Sequence, residues 1–255
     1  MTLDLSGRLA VVSGGAGGLG EAICLGLARA GCAVVVGYHR SEAQAHALAA
    51  RLPAAALPHA ALHCPVTDSA ALAALAAEVG RRWGRCDILV NGAGTTRFVP
   101  HADLDALDDA LIDEILATNV RGIIAAVRAF KPLLAAPRAG GGSGLVVNLS
   151  SIAAVTAMGS NVAYCASKAA VDNLTKSLAR ALAPAVRVLS VAPGLSDTDF
   201  VKRMDRAWRD EQAARTPLQR LALPDEVAAA VVAAATLLSF STGAVIPVDG
   251  GRPLA

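Results

Sequence analysis

The sequence is poor in aromatic residues and in charge. Phe, Trp and Tyr make up 3% of its 255 residues, with only two tyrosines, and Asp, Glu, Lys and Arg make up 17%. A net charge of +2 lacks the basic surplus of a dedicated nucleic-acid binder, so no nucleic-acid partner is expected. No signal peptide is read at the start: Met1–Arg8 contains Asp4, and Ser13-Gly14-Gly15 cuts the apolar run from Leu9. The five cysteines (Cys24, Cys32, Cys64, Cys86 and Cys165) form no CxxC pair and are odd in number. Buried thiols in a reducing, cytoplasmic compartment are expected. No His/Cys group has metal-ligand spacing, so no metal is expected. One long charge-free stretch exists, Val227–Val248, but Ser239, Ser241, Thr242, Gly243 and Pro247 interrupt it. It reads as a helix, a turn and a short strand rather than a membrane span.

What is present is apolar, at 54% hydrophobic, with alanine prominent, which excludes intrinsic disorder. Short apolar runs alternate with amphipathic ones. Strands are expected at Leu9–Ser13, Ala33–Gly37, Ala61–Cys64, Asp87–Asn91, Gly144–Leu149, Val186–Val191 and Ala244–Val248. Helices are expected at Gly18–Ala30, Glu42–Leu52, Ser69–Trp83, Leu107–Leu134, Val162–Leu182 and Asp225–Leu238. Runs such as Val34-Val35-Val36 are apolar on both faces, the mark of a parallel sheet covered on both sides. The pattern predicts an α/β fold: one Rossmann domain over residues 1–255, its doubly wound seven-stranded parallel sheet flanked by helices on both faces. The Gly-rich Ala139–Ser143 stretch reads as a loop, not a linker. A charged excursion at about 195–216 is placed to cover a ligand crevice at the strand ends.

Ser13-Gly14-Gly15-Ala16-Gly17-Gly18-Leu19-Gly20 joins the first strand to the first helix. Glycines there let the backbone approach a pyrophosphate, which the helix N-terminus attracts. The plain alternative is a tight turn without a ligand. Strand two ends in Tyr38-His39-Arg40-Ser41, with Tyr38 near where an acid would bind a ribose 2′-hydroxyl. Arg40, with His39, suits a 2′-phosphate instead, so NADP(H) is favoured over NAD(H). A solvated arginine is the alternative. Tyr164 and Lys168, four residues apart, share a helix face. An ammonium near a phenol lowers its pKa from about 10, which suits general acid–base work; a buried tyrosine beside a solvated lysine is the commoner accident.

The Ser-Gly-x-x-x-Gly-x-Gly turn, the Asn91-Gly92-Ala93-Gly94 strand end, Ser151 13 residues before Tyr164, the Tyr164-x-x-x-Lys168 pair and Pro193-Gly194 occur in one order along the chain. Together they resemble the short-chain dehydrogenase/reductase family, in the manner of 3-oxoacyl-carrier-protein reductases and glucose dehydrogenases. The resemblance implies a catalytic set of Asn119, Ser151, Tyr164 and Lys168. It implies cofactor contacts from Ser13, Gly14, Ala16, Gly17, Gly18, Leu19, Gly20, Tyr38, His39, Arg40, Val66, Asn91, Gly92, Ala93, Gly94, Tyr164, Lys168, Pro193, Gly194, Leu195, Ser196 and Thr198. The implied activity is reversible hydride transfer between a nicotinamide and a small carbonyl or alcohol substrate. A non-catalytic NADP-binding regulator, an epimerase and a dehydratase are the other readings of this scaffold.

The sequence departs from the family pattern in places. Ser13 replaces a threonine, Gly92 an asparagine, and Pro65 an aspartate expected near the adenine; Gly17 stands where many NADP-preferring relatives are basic. Ser196 stands where an apolar residue is usual. Asp68 reads as a helix N-cap. The arginine that carrier-protein reductases often have after the Tyr/Lys helix is missing from Ala183-Pro184-Ala185; Arg138 and Arg180 are possible substitutes. The family is mostly tetrameric or dimeric, so a homotetramer, or a homodimer, is expected.

Overall fold

A computed structural model describes residues 3–136 and 142–254. Arg138 and most of the Ala139–Ser143 loop lie outside the described residues.

Seven strands form one sheet: β1 Leu9–Ser13, β2 Ala33–Tyr38, β3 Ala60–His63, β4 Ile88–Asn91, β5 Gly144–Leu149, β6 Val186–Pro193 and β7 Val245–Val248. Every pairing is parallel, in the order β3-β2-β1-β4-β5-β6-β7. β1, β4 and β5 are buried along their whole length, as continuous apolar runs require when both faces are covered.

The helices are α1 Gly18–Arg29, α2 Glu42–Arg51, α3 Ser69–Trp83, α4 Asp109–Leu116, α5 Gly122–Leu134, α6 Ala153–Thr156, α7 Val162–Leu182, α8 Asp199–Lys202, α9 Arg206–Ala214 and α10 Pro224–Thr236. α1, α2 and α10 cover one sheet face through Ile23, Leu27, Leu48, Val227 and Val231. α3, α5 and α7 cover the other through Leu72, Val79, Phe130 and Val171. Small residues set how closely these layers approach: a Cβ at Gly26 of α1 would sit 3.2 Å from the Ala228 methyl of α10.

Asp68 caps α3, accepting from the amides of Ala70 and Ala71 at 2.9 and 3.0 Å. The charge-free Val227–Val248 stretch divides between α10 and β7, and no helix of the described residues is long and apolar enough to cross a membrane. One expectation needs correction. The helix expected over Leu107–Leu134 is three elements. Asp108 caps a later start by accepting from the Leu111 amide at 2.8 Å, and a π-helical turn, Ala117–Arg121, separates α4 from α5. The excursion after β6 is partly helical. It holds α8 and α9, and an isolated bridge from Ser196 to Ala222 ties its two ends together.

Strand order reverses between β1 and β4, whose ends are in register at Ser13 and Asn91. In open α/β sheets the ligand crevice lies outside the carboxyl ends of the strands at such a switch point.

Candidate active site

The turn after β1 is shaped by glycines that nothing larger can replace. Gly14 has φ of +67°, and a Cβ there would sit 2.9 Å from the Ala93 backbone. At Gly20 it would sit 2.1 Å from the Gly14 carbonyl. Gly17 precedes α1 and supplies no side-chain cap, so the first amides of the helix have no side-chain acceptor from that position. Gly17 and Gly18 are exposed, Ala16 and Leu19 half-buried. This bare, concave helix start fits a pyrophosphate.

Ser13 is buried and faces the scaffold. Its Oγ donates to the Val90 carbonyl at 3.3 Å and accepts from the amides of Gly92 and Ala93 at 3.1 and 3.3 Å. Asn91 is buried too, donating from Nδ2 to Asn148 Oδ1 at 2.8 Å across β4 and β5. Both side chains therefore hold strand ends in register, whatever their backbones contact. Gly94 lies deeper toward the catalytic candidates: a Cβ there would meet Asn119 Oδ1 at 3.4 Å and Lys168 Nζ at 3.9 Å.

The structure gathers all four catalytic candidates around the end of β5. Asn161 starts α7 by accepting from the Tyr164 amide at 2.7 Å, and it donates to the Arg97 carbonyl at 2.7 Å. That cap places Tyr164 on the first turn of α7 and Lys168 one turn later. Lys168 Nζ donates to the Leu149 carbonyl at 2.8 Å and lies 5.6 Å from the centre of the Tyr164 ring. Ser151 lies near enough to the Tyr164 phenol to pull its pKa down. Ser151 Oγ also accepts from the Ala153 amide at 3.1 Å, which fixes the loop before α6.

Asn119 sits in the π-helical turn, almost fully buried. Its Oδ1 accepts from the Thr95 amide at 2.8 Å, and its Nδ2 donates to the Thr95 carbonyl and to Ser167 Oγ, both at 3.1 Å. The widened turn aims this amide at the irregular segment after β4 that carries Thr95; π-bulges are frequent at functional sites.

Burial acts on both titratable members. It depresses Lys168 to about 8. It raises the Tyr164 phenol above its ordinary value, with Ser151 pulling the other way. The net shift of Tyr164 is upward because its own burial outweighs the neighbours that would lower it. The lysine is itself desolvated, and its ammonium is held against a backbone carbonyl.

The remaining candidates spread along the crevice. Val66 is buried against Gly122 at the start of α5. Tyr38 is half-buried and donates to Glu42 Oε1 at 3.0 Å, whereas His39 and Arg40 are exposed. They lie at or just past the end of β2, with β1 and β4 between it and β5. Pro193 ends β6, and the Gly194 amide donates to the Val248 carbonyl at 2.9 Å. Leu195 accepts from the Ala222 amide at 3.1 Å, and Ser196 Oγ donates to the Gly194 carbonyl at 3.3 Å. Thr198 reaches the glycine turn: its Cβ lies 3.1 Å from where a Gly18 Cβ would sit.

Sequence reasoning passed over three site residues. Ser167 is fully buried and donates to the Tyr164 carbonyl at 2.7 Å while accepting from Asn119. Nothing in the sequence marks it apart from its place between Tyr164 and Lys168. Asn161 could have been found as a capping residue before an apolar helix. Asn148, the partner of Asn91, donates to Thr175 Oγ1 at 2.9 Å and carries no sequence signal of its own. Among the described residues, no group of three or more His, Cys, Asp or Glu could hold a metal ion.

Residues 14–252 match the family described as Enoyl-(Acyl carrier protein) reductase. The chain is 38% identical over 249 residues to cis-4-hydroxycyclohexanecarboxylate dehydrogenase of Sinomonas cyclohexanicum, covering 96% of each. The solved structure of a short-chain dehydrogenase/reductase, glucose/ribitol dehydrogenase, from Brucella melitensis superposes with TM-score 0.89 at 28% identity, covering 99% of both chains. A gluconate 5-dehydrogenase from Burkholderia cenocepacia J2315, in complex with NADP and tartrate, gives TM-score 0.86 at 30% identity, covering 99% of this chain and 98% of the other.

Proposed function

Since the chain belongs to the short-chain dehydrogenase/reductase family and is a nicotinamide-dependent oxidoreductase of alcohol and carbonyl groups, we propose that it reduces a small carbonyl compound, or oxidises the matching secondary alcohol, through Tyr164, Ser151, Lys168 and Asn119, with NADP(H) preferred over NAD(H). The observation that carries this reading is the convergence of those four side chains at the end of β5, beside Gly94.

The crevice fits a dinucleotide. A Cβ at Gly14 or Gly20 would fill the turn, and the start of α1 is bare of a side-chain cap. Gly14–Gly20 would hold the pyrophosphate, and Tyr38, His39 and Arg40 the adenosine end. Ala93, Gly94, Pro193–Ser196 and Thr198 would hold the nicotinamide end. When bound, the nicotinamide supplies or accepts the hydride. Tyr164 gives its phenolic proton to the substrate oxygen in reduction and takes it back in oxidation. Ser151 donates to the same oxygen and positions it. Lys168 places a positive charge beside the phenol, and Asn119 holds the Thr95 backbone that walls the site.

The NADP preference is supported by Arg40 at the end of β2, where Glu42 is already engaged by Tyr38; the NADP complex of the Burkholderia relative is consistent with it. The proposed organisation is one NAD(P)-binding domain over residues 1–255, with the covering segment at about 195–216. A cytoplasmic homotetramer, or homodimer, is proposed on the family resemblance. The test is a spectrophotometric screen of carbonyl and alcohol panels with NADPH and NADH. Oxidation or reduction of some member, abolished by Tyr164→Phe, supports the assignment; turnover surviving that change overturns it.

A further inference from the structure

The end of β2 carries more potential positive charge than Arg40 alone supplies, and part of it comes from the neighbouring strand. β2 and β3 are in register with Tyr38 opposite His63, and the Cys64 amide donates to the Tyr38 carbonyl at 2.6 Å. The His63 ring lies 5.7 Å from the Tyr38 ring and 5.9 Å from the His39 ring, centre to centre. His46, one turn into α2, lies 6.0 Å from the Tyr38 ring. Two imidazoles, His46 and His63, thus lie near the Tyr38 ring and His39 lies near His63; His39, Arg40 and His63 are exposed.

One acid faces this group, and it is already engaged. Glu42 accepts from the Tyr38 phenol at 3.0 Å, and its Oε1 is 3.9 Å from His46 Nε2. Asp68, after β3, is bound to the first amides of α3. Glu21 and Arg51, near the end of α2, pair with each other, and Arg82, which lines a pocket with His46 and His59, lies 3.8 Å from Glu78. The groups left to meet a ligand at the β2 end are therefore Arg40, His39 and His63.

We infer that His63, with His39, forms a proton-dependent part of the 2′-phosphate site, so that the preference for NADP over NAD strengthens as these imidazoles become charged. This rests on the NADP reading above and adds a residue from β3 to it. Histidine ordinarily changes charge between pH 5 and 8. A phosphomonoester gains its second negative charge near pH 6. The pairing of imidazolium with dianion is therefore best between those two titrations and declines above them. NAD lacks the phosphate and has nothing to gain from either. The pairs are solvent-exposed, so the effect is about two- to fivefold in affinity per imidazole.

The test measures NADPH and NADH dissociation constants by nucleotide fluorescence at pH 6.5, 7.5 and 8.5, for the unaltered chain, His63→Gln, His39→Gln and Arg40→Gln. The unaltered chain is expected to lose NADPH affinity relative to NADH as pH rises. His63→Gln is expected to weaken NADPH binding at pH 6.5 by about two- to fivefold, flatten that decline, and leave NADH binding unchanged. Arg40→Gln should weaken NADPH at every pH and leave the decline in place. A decline as steep in His63→Gln as in the unaltered chain overturns the role of His63 while leaving the NADP reading standing. Preference for NADH at every pH, unaltered by Arg40→Gln, overturns the NADP reading itself and this inference with it.

Discussion

Lys168 Nζ donates to the carbonyl of Leu149 at 2.8 Å, two residues before Ser151. One hydrogen bond thus joins α7 to the end of β5, next to Ser151. Its cost is a buried cation, and burial lowers Lys168 to about 8. The expected consequence for activity is a fall in kcat/KM for carbonyl reduction as pH rises through about 8, because the ammonium beside the phenol is lost. Alcohol oxidation, which needs Tyr164 as a base, should move the opposite way. Initial rates in both directions from pH 6 to 10 check this, and a flat reduction profile between pH 7 and 9 would contradict it.

The same burial has a sign for stability. Folding lowers the Lys168 pKa below its ordinary 10.5, so the unfolded chain binds more protons between about 8 and 10.5. The destabilising contribution is full below about pH 8 and disappears as pH rises through the unfolded value. Lys168→Met removes the charge and keeps most of the volume. It should lose nearly all activity and yet unfold at a higher temperature than the unaltered chain at pH 7, a stability–activity trade. Thermal unfolding followed by circular dichroism decides it; a lower midpoint would mean that the bond to Leu149 outweighs the desolvation.

Tyr164→Phe separates chemistry from binding. The ring, its packing and the Asn161 cap on its amide all survive the change; the phenolic proton and its interaction with Ser151 do not. The rate should fall by about 10²–10⁴-fold, the usual contribution of a positioned acid or base. NADPH affinity should change little. A fluorescence titration beside the rate assay tests both halves.

Much of this was legible in the sequence, because strands covered on both faces leave continuous apolar runs. β1, β5, α3 and α7 have the boundaries that the pattern predicts. The four candidates that converge at β5 were legible through motif spacing. What was hidden is tertiary. The break between α4 and α5 is set by Asn119 reaching the Thr95 backbone, a partner 24 residues away. Ser167 matters because another element, the turn that carries Asn119, places a donor against it while its own helix supplies the Tyr164 carbonyl as acceptor. The net shift of the tyrosine was hidden because a sequence does not state how deeply its phenol is buried.

Asn119→Ala tests how far that hidden framework carries the site. The change leaves the Thr95 amide and carbonyl and the Ser167 hydroxyl without their shared partner in a buried place. An unsatisfied buried group costs about 1–3 kcal/mol, and Ser167 keeps its bond to the Tyr164 carbonyl, so the loss should be about 2–4 kcal/mol in all. Asn119→Asp keeps the acceptor for the Thr95 amide but turns a donor toward the Thr95 carbonyl into a like-charged oxygen. It should be no more stable than the alanine variant, despite its closer shape. Urea unfolding of both variants, read against kcat, distinguishes a wall from a participant. If activity falls only as far as the folded fraction does, Asn119 serves the fold. If kcat falls well beyond it while NADPH still binds, the Thr95 backbone that Asn119 holds is part of the reacting geometry.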